Sequence, residues 1–308
     1  MQNRNSSNSL VTLLEKNRYI IWSFILVITI IWGYAWVLMK ESLDYMGPFT
    51  FNAFRFGIGS LTLLGIIGIL KLELPAKNEW KHLIIVGILQ TSIVFLLVMY
   101  GLRFIDAGKS SVLLYSMPIW SSMFASKILG EKLAGVKVIG LTIGMAGLLT
   151  ILGWDIVLVQ DMQVIFGELL IIIAAISWGA SNVYYRLKLQ DIGKLQVTAF
   201  QMLFGTIGII LAAVMMEWGE PIHLNANSIF YVLFTGVLAS ALCFSLWFLL
   251  LSVIDMVTAT LSTLLVPIFG LLLSALILGE ELTTGILTGS VLIIAGIGIA
   301  QLSKRRKE

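Results

Sequence analysis

Apolar stretches of about twenty residues recur along the whole chain. At about 1.5 Å of rise per residue, a helix of that length crosses the ~30 Å hydrocarbon layer of a bilayer. Only 12% of the 308 residues are charged, about half the share found in a soluble domain. We therefore predict an all-α membrane protein with ten transmembrane helices. Spans 1 to 10 are predicted at 19–39, 49–70, 83–102, 110–129, 134–153, 164–185, 195–216, 228–251, 256–278 and 283–302.

Lys and Arg residues are divided unequally between the two ends of these spans. When both chain termini are placed on one side, that side holds 16 of them, the opposite side holds 3, and Arg55 lies inside span 2. Cytoplasmic loops carry the excess of basic residues in membrane proteins. The sequence therefore predicts a polar cytoplasmic tail at 1–18 and a basic cytoplasmic tail at 303–308.

The two halves of the chain contain the same short sequence motifs. "ILGEKL" at 128–133 returns as "ILGEEL" at 277–282, an offset of 149 residues, and Pro118 aligns with Pro267 at the same offset. Trp-Gly of span 1 aligns with Trp-Gly of span 6 at an offset of 146 residues. The chain is therefore predicted to contain two copies of one five-helix unit.

These copies are predicted at 19–153 and 164–302, joined by a connecting loop at 154–163. Five is an odd number of spans, so the second copy enters the membrane upside down relative to the first. Inverted repeats of this kind are a transporter architecture, with a substrate site near the membrane midplane where the halves meet. We expect a central cavity between them.

The combination of motifs resembles a known family. Ten spans, "FRF" at 54–56, Trp-Gly in spans 1 and 6, and Pro followed by Ile-Leu-Gly-Glu in spans 4 and 9 are similar to the EamA-type branch of the drug/metabolite transporter (DMT) superfamily. The resemblance implies a permease of the bacterial plasma (inner) membrane that exports amino acids, other metabolites or toxic compounds. It also implies a cavity lined mainly by spans 1, 3, 4, 6, 8 and 9.

Polar and aromatic side chains form stripes on several spans. Residues three, four and seven positions apart share a helix face, and polar groups on a lipid-facing surface would lack hydrogen-bond partners. These stripes are therefore expected to face the cavity, where aromatic rings hold an apolar or cationic group of the substrate. The candidates are Trp32, Trp36, Tyr115, Trp178, Asn182, Tyr185, Trp247 and Thr263. Pro118 and Pro267 are interpreted as kinks that shape or gate the cavity.

Charged residues near or within the spans are few. Arg55 is interpreted as an intramembrane charge with a structural or gating role, and capture of a substrate carboxylate is the alternative. Glu131 and Glu280 are expected to hold tight turns. Glu168 is a candidate for proton coupling, although transport down the gradient of the substrate, or by exchange, is preferred. No Gly-rich phosphate loop is present, which excludes direct use of ATP.

Other functional classes fit the sequence less well. Cys243 is the only cysteine, which excludes a disulfide framework and a thiolate metal site. His82 and His223 fall in separate loops without matching carboxylates, which argues against an enzyme acting on lipids. We expect no cofactor and no metal. The net charge of +3 is too small to indicate nucleic acid as a partner.

The expected partners are a small-molecule substrate and the lipid bilayer, with a homodimer through the glycine-rich helices of spans 5 and 10 as a further expectation. An exporter of amino acids or related small organic solutes is the leading function. A multidrug or toxic-compound exporter comes next, followed by a nucleotide-sugar or organophosphate carrier. A membrane subunit that does not transport is the remaining alternative.

Overall fold

The computed structural model describes residues 18–130, 135–154, 161–250 and 262–302. Within these ranges the chain is helical and contains no β-strand. The helices follow one another through short connections. In chain order they are α1 Arg18–Glu41, α2 Pro48–Ile69, α3 Trp80–Val86, α4 Val94–Gly101, α5 Ala107–Leu114, α6 Met117–Ile128, α7 Gly135–Trp154, α8 Met162–Lys188, α9 Lys194–Met216, α10 Ala226–Leu233, α11 Cys243–Leu250, α12 Leu265–Leu278 and α13 Thr284–Leu302.

Seven helices in the described part of the chain are long and apolar enough to cross a membrane. They are Tyr19–Asp44, Pro48–Ile69, Lys77–Gly101, Gly135–Gly153, Met162–Lys188, Lys194–Met216 and Ala226–Trp247. Two shorter apolar helices, Leu265–Leu278 and Thr284–Ala300, fall in spans 9 and 10. The first residues of span 9, and Glu131, lie outside the described residues. The molecule is a multi-pass helical membrane protein.

The surface of the helical bundle is apolar. Leu61, Ile69, Leu211, Met215 and Leu276 are among many large apolar side chains that are more than half exposed. Soluble monomers rarely expose apolar patches of this extent, whereas lipid tails solvate them. The exterior of the protein therefore fits a bilayer.

Predicted span 4 is broken into two helices. α5 ends at Leu114 and α6 begins at Met117, with Tyr115 and Ser116 in a turn between them. Pro118 cannot donate a backbone hydrogen bond, and its ring clashes with the carbonyl group four residues earlier. The helix therefore stops before the proline and restarts with Pro118 in its first turn.

A turn also precedes the second aligned proline. Leu264 is not helical, and α12 begins at the following residue with Pro267 in its first turn. Pro118 and Pro267 thus each follow an interruption of the helix. A gating role for the two prolines stays a prediction.

Spans 3 and 8 each contain a π-helical segment. We call Gly87–Ile93, between α3 and α4, the first π segment, and Phe234–Leu242, between α10 and α11, the second. π-helical geometry is rare, occurs often at functional sites and disturbs the regular ladder of backbone hydrogen bonds. A carbonyl group in each segment accepts a hydrogen bond from another helix.

Those hydrogen bonds come from α1 and α8. The Ser177 hydroxyl of α8 donates to the Leu89 carbonyl in the first π segment at 2.7 Å. The Trp32 indole N–H of α1 donates to the Ala239 carbonyl in the second π segment at 2.9 Å. Each π segment is therefore tied to a helix from the other half of the chain.

Most of the close helix pairs join the first half of the chain to the second. α1 packs against α12, α2 against the second π segment, the first π segment against α9, α6 against α8, and α7 against α13. The contact between the first π segment and α9 brings two backbones together: a methyl group on Gly205 would lie 2.6 Å from the Gly87 carbonyl oxygen. Glycine is required there because a side chain would separate the helices.

α7 and α13 pack through their glycine-rich faces. A methyl group on Gly140 would lie 2.5 Å from the Gly296 carbonyl oxygen, and one on Gly147 would lie 2.6 Å from the Gly289 carbonyl oxygen. These faces of spans 5 and 10 therefore pack on each other within one chain, which is the small-residue mode of membrane helix packing. A homodimer through the glycine-rich helices of spans 5 and 10 stays a prediction.

Candidate substrate-binding cavity

A cavity of about 200 Å³ lies inside the bundle and is lined by residues from both halves of the chain. Its walls come from α1, α2, α4, α8, α9, α11, both π segments, the break between α5 and α6 with the residues beside it, and the residue Thr263 before α12. The predicted residues that line it are Trp32, Trp36, Tyr115, Trp178, Trp247 and Thr263. That these residues contact a substrate stays a prediction.

Aromatic rings form much of the wall. The Trp32 ring lies 5.5 Å from the Phe244 ring and 5.7 Å from the Trp247 ring, measured between centroids. The Trp178 ring lies 6.3 Å from the Phe95 ring. Tilted and edge-to-face pairs at these distances stabilise one another, and the hydrogen bond of Trp32 to the Ala239 carbonyl of the second π segment fixes its ring further. The wall is therefore largely preformed.

The structure does not bring Asn182 and Tyr185 to this wall. The Asn182 amide donates to the Met117 sulfur and to the Ser121 hydroxyl, both at 3.3 Å, and so joins α8 to α6. Tyr185 is half-buried and packs against an apolar cluster that includes Leu189. Both residues lie on the same helix face as Trp178 but further along α8, and their contact with a substrate stays a prediction.

Arg55 lines the cavity and is 7% exposed. Its Nη1 donates to the Met39 sulfur at 2.9 Å, and its guanidinium carbon lies 4.8 Å and 4.9 Å from the ring centroids of Phe56 and Phe95. Its Nε is buried and has no hydrogen-bond partner in the described part of the chain. The cation is therefore held by rings and a thioether.

Several wall residues escaped the sequence analysis. Gln90 and Phe95 of span 3 and Gln201 and Met202 of span 7 line the cavity. Together with Arg55 of span 2, they show that spans 2 and 7 contribute to it in addition to the spans that the resemblance implied. Thr91 donates to the Gln201 amide oxygen at 2.9 Å across this wall. The alignment of Arg55 with Gln201 at 146 residues was the available signal, because two polar residues at matching positions of apolar spans favour an interior location.

At one end of the bundle, two carboxylates bind the N-termini of helices. Glu217, at the end of α9, accepts hydrogen bonds from the backbone N–H groups of Phe49 and Thr50 in α2 at 2.9 and 2.7 Å. Glu280, after α12, accepts from those of Ala107 and Gly108 in α5 at 2.7 and 3.0 Å. Helix N-termini favour anions. We call this the capped end.

Glu280 thus caps a helix from the other half of the chain rather than the helix that follows it. Lys40 also lies at the capped end, where its ammonium group donates to the carbonyl groups of Leu102 and Ile105. The second bond is 2.9 Å long. These contacts connect the end of α1 to the connection between α4 and α5.

Glu168, the residue considered for proton coupling, is fully buried in α8. Its Oε1 lies 3.1 Å from the Nζ of Lys109 in α5, and neither side chain is among those that line the cavity. A role of Glu168 in coupling stays a prediction. Within the described residues, no group of three or more His, Cys, Asp or Glu side chains is placed to hold a metal ion.

A multi-pass helical bundle that encloses a small aromatic cavity between two halves has the features of a membrane transporter. The model of the EamA-like transporter family matches residues 19–153 and 165–301, and the chain belongs to that family. It is a transporter of the DMT superfamily.

Proteins that are similar to this chain over most of its length are also named as transporters or efflux pumps. The "Uncharacterized transporter YoaV" of Bacillus subtilis is 32% identical over 274 residues, which are 89% of this chain and 94% of the relative. A "Probable amino-acid metabolite efflux pump" of Salmonella typhimurium is 23% identical over 282 residues, 89% of this chain and 92% of the relative. One solved crystal structure has a TM-score of 0.66 at 20% identity and covers 94% of this chain and 100% of its own, which supports the fold.

Proposed function

We propose that this protein is a permease that exports amino acids or related small organic solutes across the bacterial plasma membrane by alternating access. The observation that carries the proposal is the aromatic cavity, which is lined by residues from both halves of the chain and has one cationic side chain, Arg55, in its described wall. A name given to a relative, amino-acid metabolite efflux pump, favours the same class of solute. A zwitterion or a small amphipathic solute suits such a lining.

We propose further that ten spans form two inverted five-helix repeats at 19–153 and 164–302. The pairing of helices supports this proposal, because each pair has a counterpart in the other half: α1 with α12 corresponds to α8 with α6, and α2 with the second π segment corresponds to α9 with the first. The two π segments also align at offsets close to those of the repeated motifs.

The excess of Lys and Arg on the side of the termini favours cytoplasmic termini. In this orientation the capped end faces the outside, since α1 begins in the cytoplasm and Lys40 lies at its far end.

For the driving force, we propose that transport runs down the concentration gradient of the substrate or proceeds by exchange of one solute for another. The buried ion pair of Glu168 supports this preference, because a carboxylate held by Lys109 away from the cavity is poorly placed to carry protons.

A multidrug exporter is the second candidate, favoured by the tryptophan rings of the cavity, which also bind amphipathic cations. A carrier of nucleotide sugars or other organophosphates is less well supported, because a phosphate group requires several cationic partners and Arg55 is the only Lys or Arg in the described cavity wall. A subunit that does not transport is the least supported alternative.

The test is exchange in liposomes that contain the purified protein. Vesicles are loaded with one unlabelled amino acid, and the entry of the labelled form is measured for a panel of amino acids and amphipathic cations. We expect entry of labelled apolar or aromatic amino acids, and a loss of about tenfold in Trp178→Ala because its ring lines the cavity. Trp22→Ala is the matched control, since Trp22 is half exposed and outside the cavity.

One result would contradict the proposed class of solute, and another would contradict the role of Trp178. Exchange of cationic drugs without exchange of any amino acid would favour the multidrug function. Equal exchange by Trp178→Ala and Trp22→Ala proteins would remove Trp178 from the substrate site.

A further inference from the structure

Among the residues that the structure describes, the cation in the cavity wall has no anionic partner. No acidic residue is among the described residues that line the cavity, and no carboxylate of the described chain forms an ion pair with Arg55. The nearest partners of its guanidinium group are the sulfur of Met39 and the ring faces of Phe56 and Phe95. A thioether is a weak acceptor, so most of the five N–H groups keep their capacity to donate.

The lack of a counter-charge is costly in a buried site. A charge inside a membrane protein is normally paired, bound to backbone carbonyls or exposed to a wet cavity. Lys109 and Lys40 of this chain follow that pattern, the first with Glu168 and the second with two carbonyl groups. Arg55 follows the third pattern, because it borders the cavity. An anion that pairs with Arg55 would therefore reach it through that cavity.

The residues around Arg55 hold its guanidinium group in position, and none of those that contact it carries a negative charge. The Asn52 amide, one turn earlier in α2, donates to the Phe95 carbonyl at 2.6 Å, which holds α4 against α2. Phe95 in turn packs against Phe56 with a centroid distance of 4.5 Å. The two rings beside the guanidinium group are thus fixed to the same helices, and cation–π contacts hold the charge.

The surroundings select the kind of anion. A guanidinium fork matches the two oxygens of a carboxylate, whereas phosphate groups require more positive charge than this wall offers. The volume of about 200 Å³ is below the roughly 300–1,000 Å³ of sites for drug-sized ligands. The tryptophan rings provide apolar contact for the rest of the molecule. One carboxylate on a small apolar body satisfies all of these conditions.

We propose that Arg55 binds the carboxylate of the transported solute, and that the solute is a small monocarboxylate whose apolar part lies on the rings of Trp36 and Trp178. The proposal rests on the permease function above and specifies its substrate class. Arg55 is then a binding residue.

The test compares ligands of one shape and different charge. 3-Phenylpropionate, its uncharged amide and 3-phenylpropylamine are titrated into the purified wild-type protein, and binding is followed by the fluorescence of the cavity tryptophans. We expect the carboxylate to bind about tenfold or more tightly than the amide, because hydrogen bonds to a charged group are the stronger ones. Equal binding of carboxylate and amide, tighter binding of the amine, or no binding of any of the three would overturn the proposal.

Variants separate a binding role from a structural one. Arg55→Gln is expected to bind carboxylate and amide equally while its affinity for the amide is retained, and Arg55→Lys to keep part of the preference. The double variant Arg55→Gln/Gln201→Arg moves the guanidinium group to the aligned position in the wall, and we expect it to regain preference for the carboxylate. An unchanged preference in Arg55→Gln would show that another group binds the anion.

The two proposals fail in different ways. Preference for the carboxylate without exchange in liposomes would leave the anion site and remove the permease function. Exchange of amino acids with no preference between 3-phenylpropionate and its amide would leave the permease function and remove the anion site. If Arg55→Gln does not fold, two measurements still decide the outcome: the ratio of wild-type affinities for 3-phenylpropionate and its amide, and the same ratio in Arg55→Gln/Gln201→Arg.

Discussion

Buried charges in this chain are stabilised in two different ways at the scale of single residues. Glu168 and Lys109 lie 3.1 Å apart, and both side chains are buried. Arg55 is equally buried but is held by rings and a sulfur atom. The first arrangement neutralises both charges within the protein, whereas the second leaves a charge for a ligand. Substitution is therefore expected to affect stability at the first site and binding at the second.

The ion pair offers a test of this distinction. Glu168→Gln or Lys109→Met alone removes one member of the buried ion pair, and each is expected to lower the free energy of unfolding by about 3 kcal/mol. The double variant Glu168→Gln/Lys109→Met is expected to lose less than the sum of the two, because both single variants lose the same contact. The measurement is thermal unfolding of the four proteins in detergent. Additive losses, or single variants as stable as wild type, would contradict the assignment of a structural ion pair.

Glycine determines how closely the elements of the two halves approach. Gly205 in α9 touches the backbone of the first π segment, and the bonds from Ser177 and Trp32 hold both π segments against α8 and α1. The wall residues Gln90, Thr91 and Ala239 lie in these segments. The geometry of the cavity therefore depends on backbone contacts behind it.

A single methyl group is expected to disturb this contact. Gly205→Ala places a Cβ 2.6 Å from the Gly87 carbonyl oxygen, and overpacking of this kind costs about 1–3 kcal/mol. The matched control is Gly65→Ala in α2, where nothing lies within 4 Å of the added Cβ and the better helix propensity of Ala makes the change neutral or slightly stabilising. Melting temperatures measure both effects. A Gly205→Ala protein as stable as Gly65→Ala would show that the helices do not meet in this way.

Within the described residues, the sequence was sufficient to predict which segments are helical and apolar, because about twenty apolar residues in a row require a helix in lipid. It was not sufficient to predict the interruptions. Proline indicated an irregularity near Pro118, but the break at Tyr115 and Ser116 and the two π segments depend on hydrogen bonds from distant helices. Such bonds have no local signature in the chain.

Prediction of the cavity wall succeeded for one turn of α8 and not for the next. Trp178 and Asn182 share a helix face, yet only Trp178 lines the cavity. At 1.5 Å per residue, Asn182 lies about 6 Å further along the axis, where Met117 and Ser121 of α6 accept its hydrogen bonds. Helical periodicity gives the face of a residue but not its depth, so a stripe is longer than the cavity it crosses.

At the scale of the whole molecule, the two carboxylates of the capped end differ in whether the other half of the sequence repeats them. Glu280 aligns with Glu131 at 149 residues, whereas Glu217 aligns with Lys71 at 146 residues. A lysine cannot replace a carboxylate as an acceptor for helix N–H groups. The Glu217 cap therefore belongs to one end only. Because each observed cap joins a helix of one half to a helix of the other, the caps are placed to hold the halves together at that end.

This arrangement predicts which contacts must break for the cavity to open at the capped end. Ala35 lines the cavity, and Ala35→Cys in a Cys243→Ala background provides a single thiol for a membrane-impermeant maleimide added outside whole cells. Adding Glu217→Gln and Glu280→Gln is expected to speed labelling about tenfold or more, because hydrogen bonds to charged groups contribute about 1.5–3 kcal/mol each to closure. Glu220→Gln, an exposed neighbour of Glu217, is the control and should leave the rate unchanged. Equal labelling rates with and without the two carboxylates would show that Glu217 and Glu280 only stabilise helix ends. If the Ala35→Cys/Cys243→Ala protein is labelled only in inverted vesicles, the cavity opens to the cytoplasm, and the capped end still lies outside.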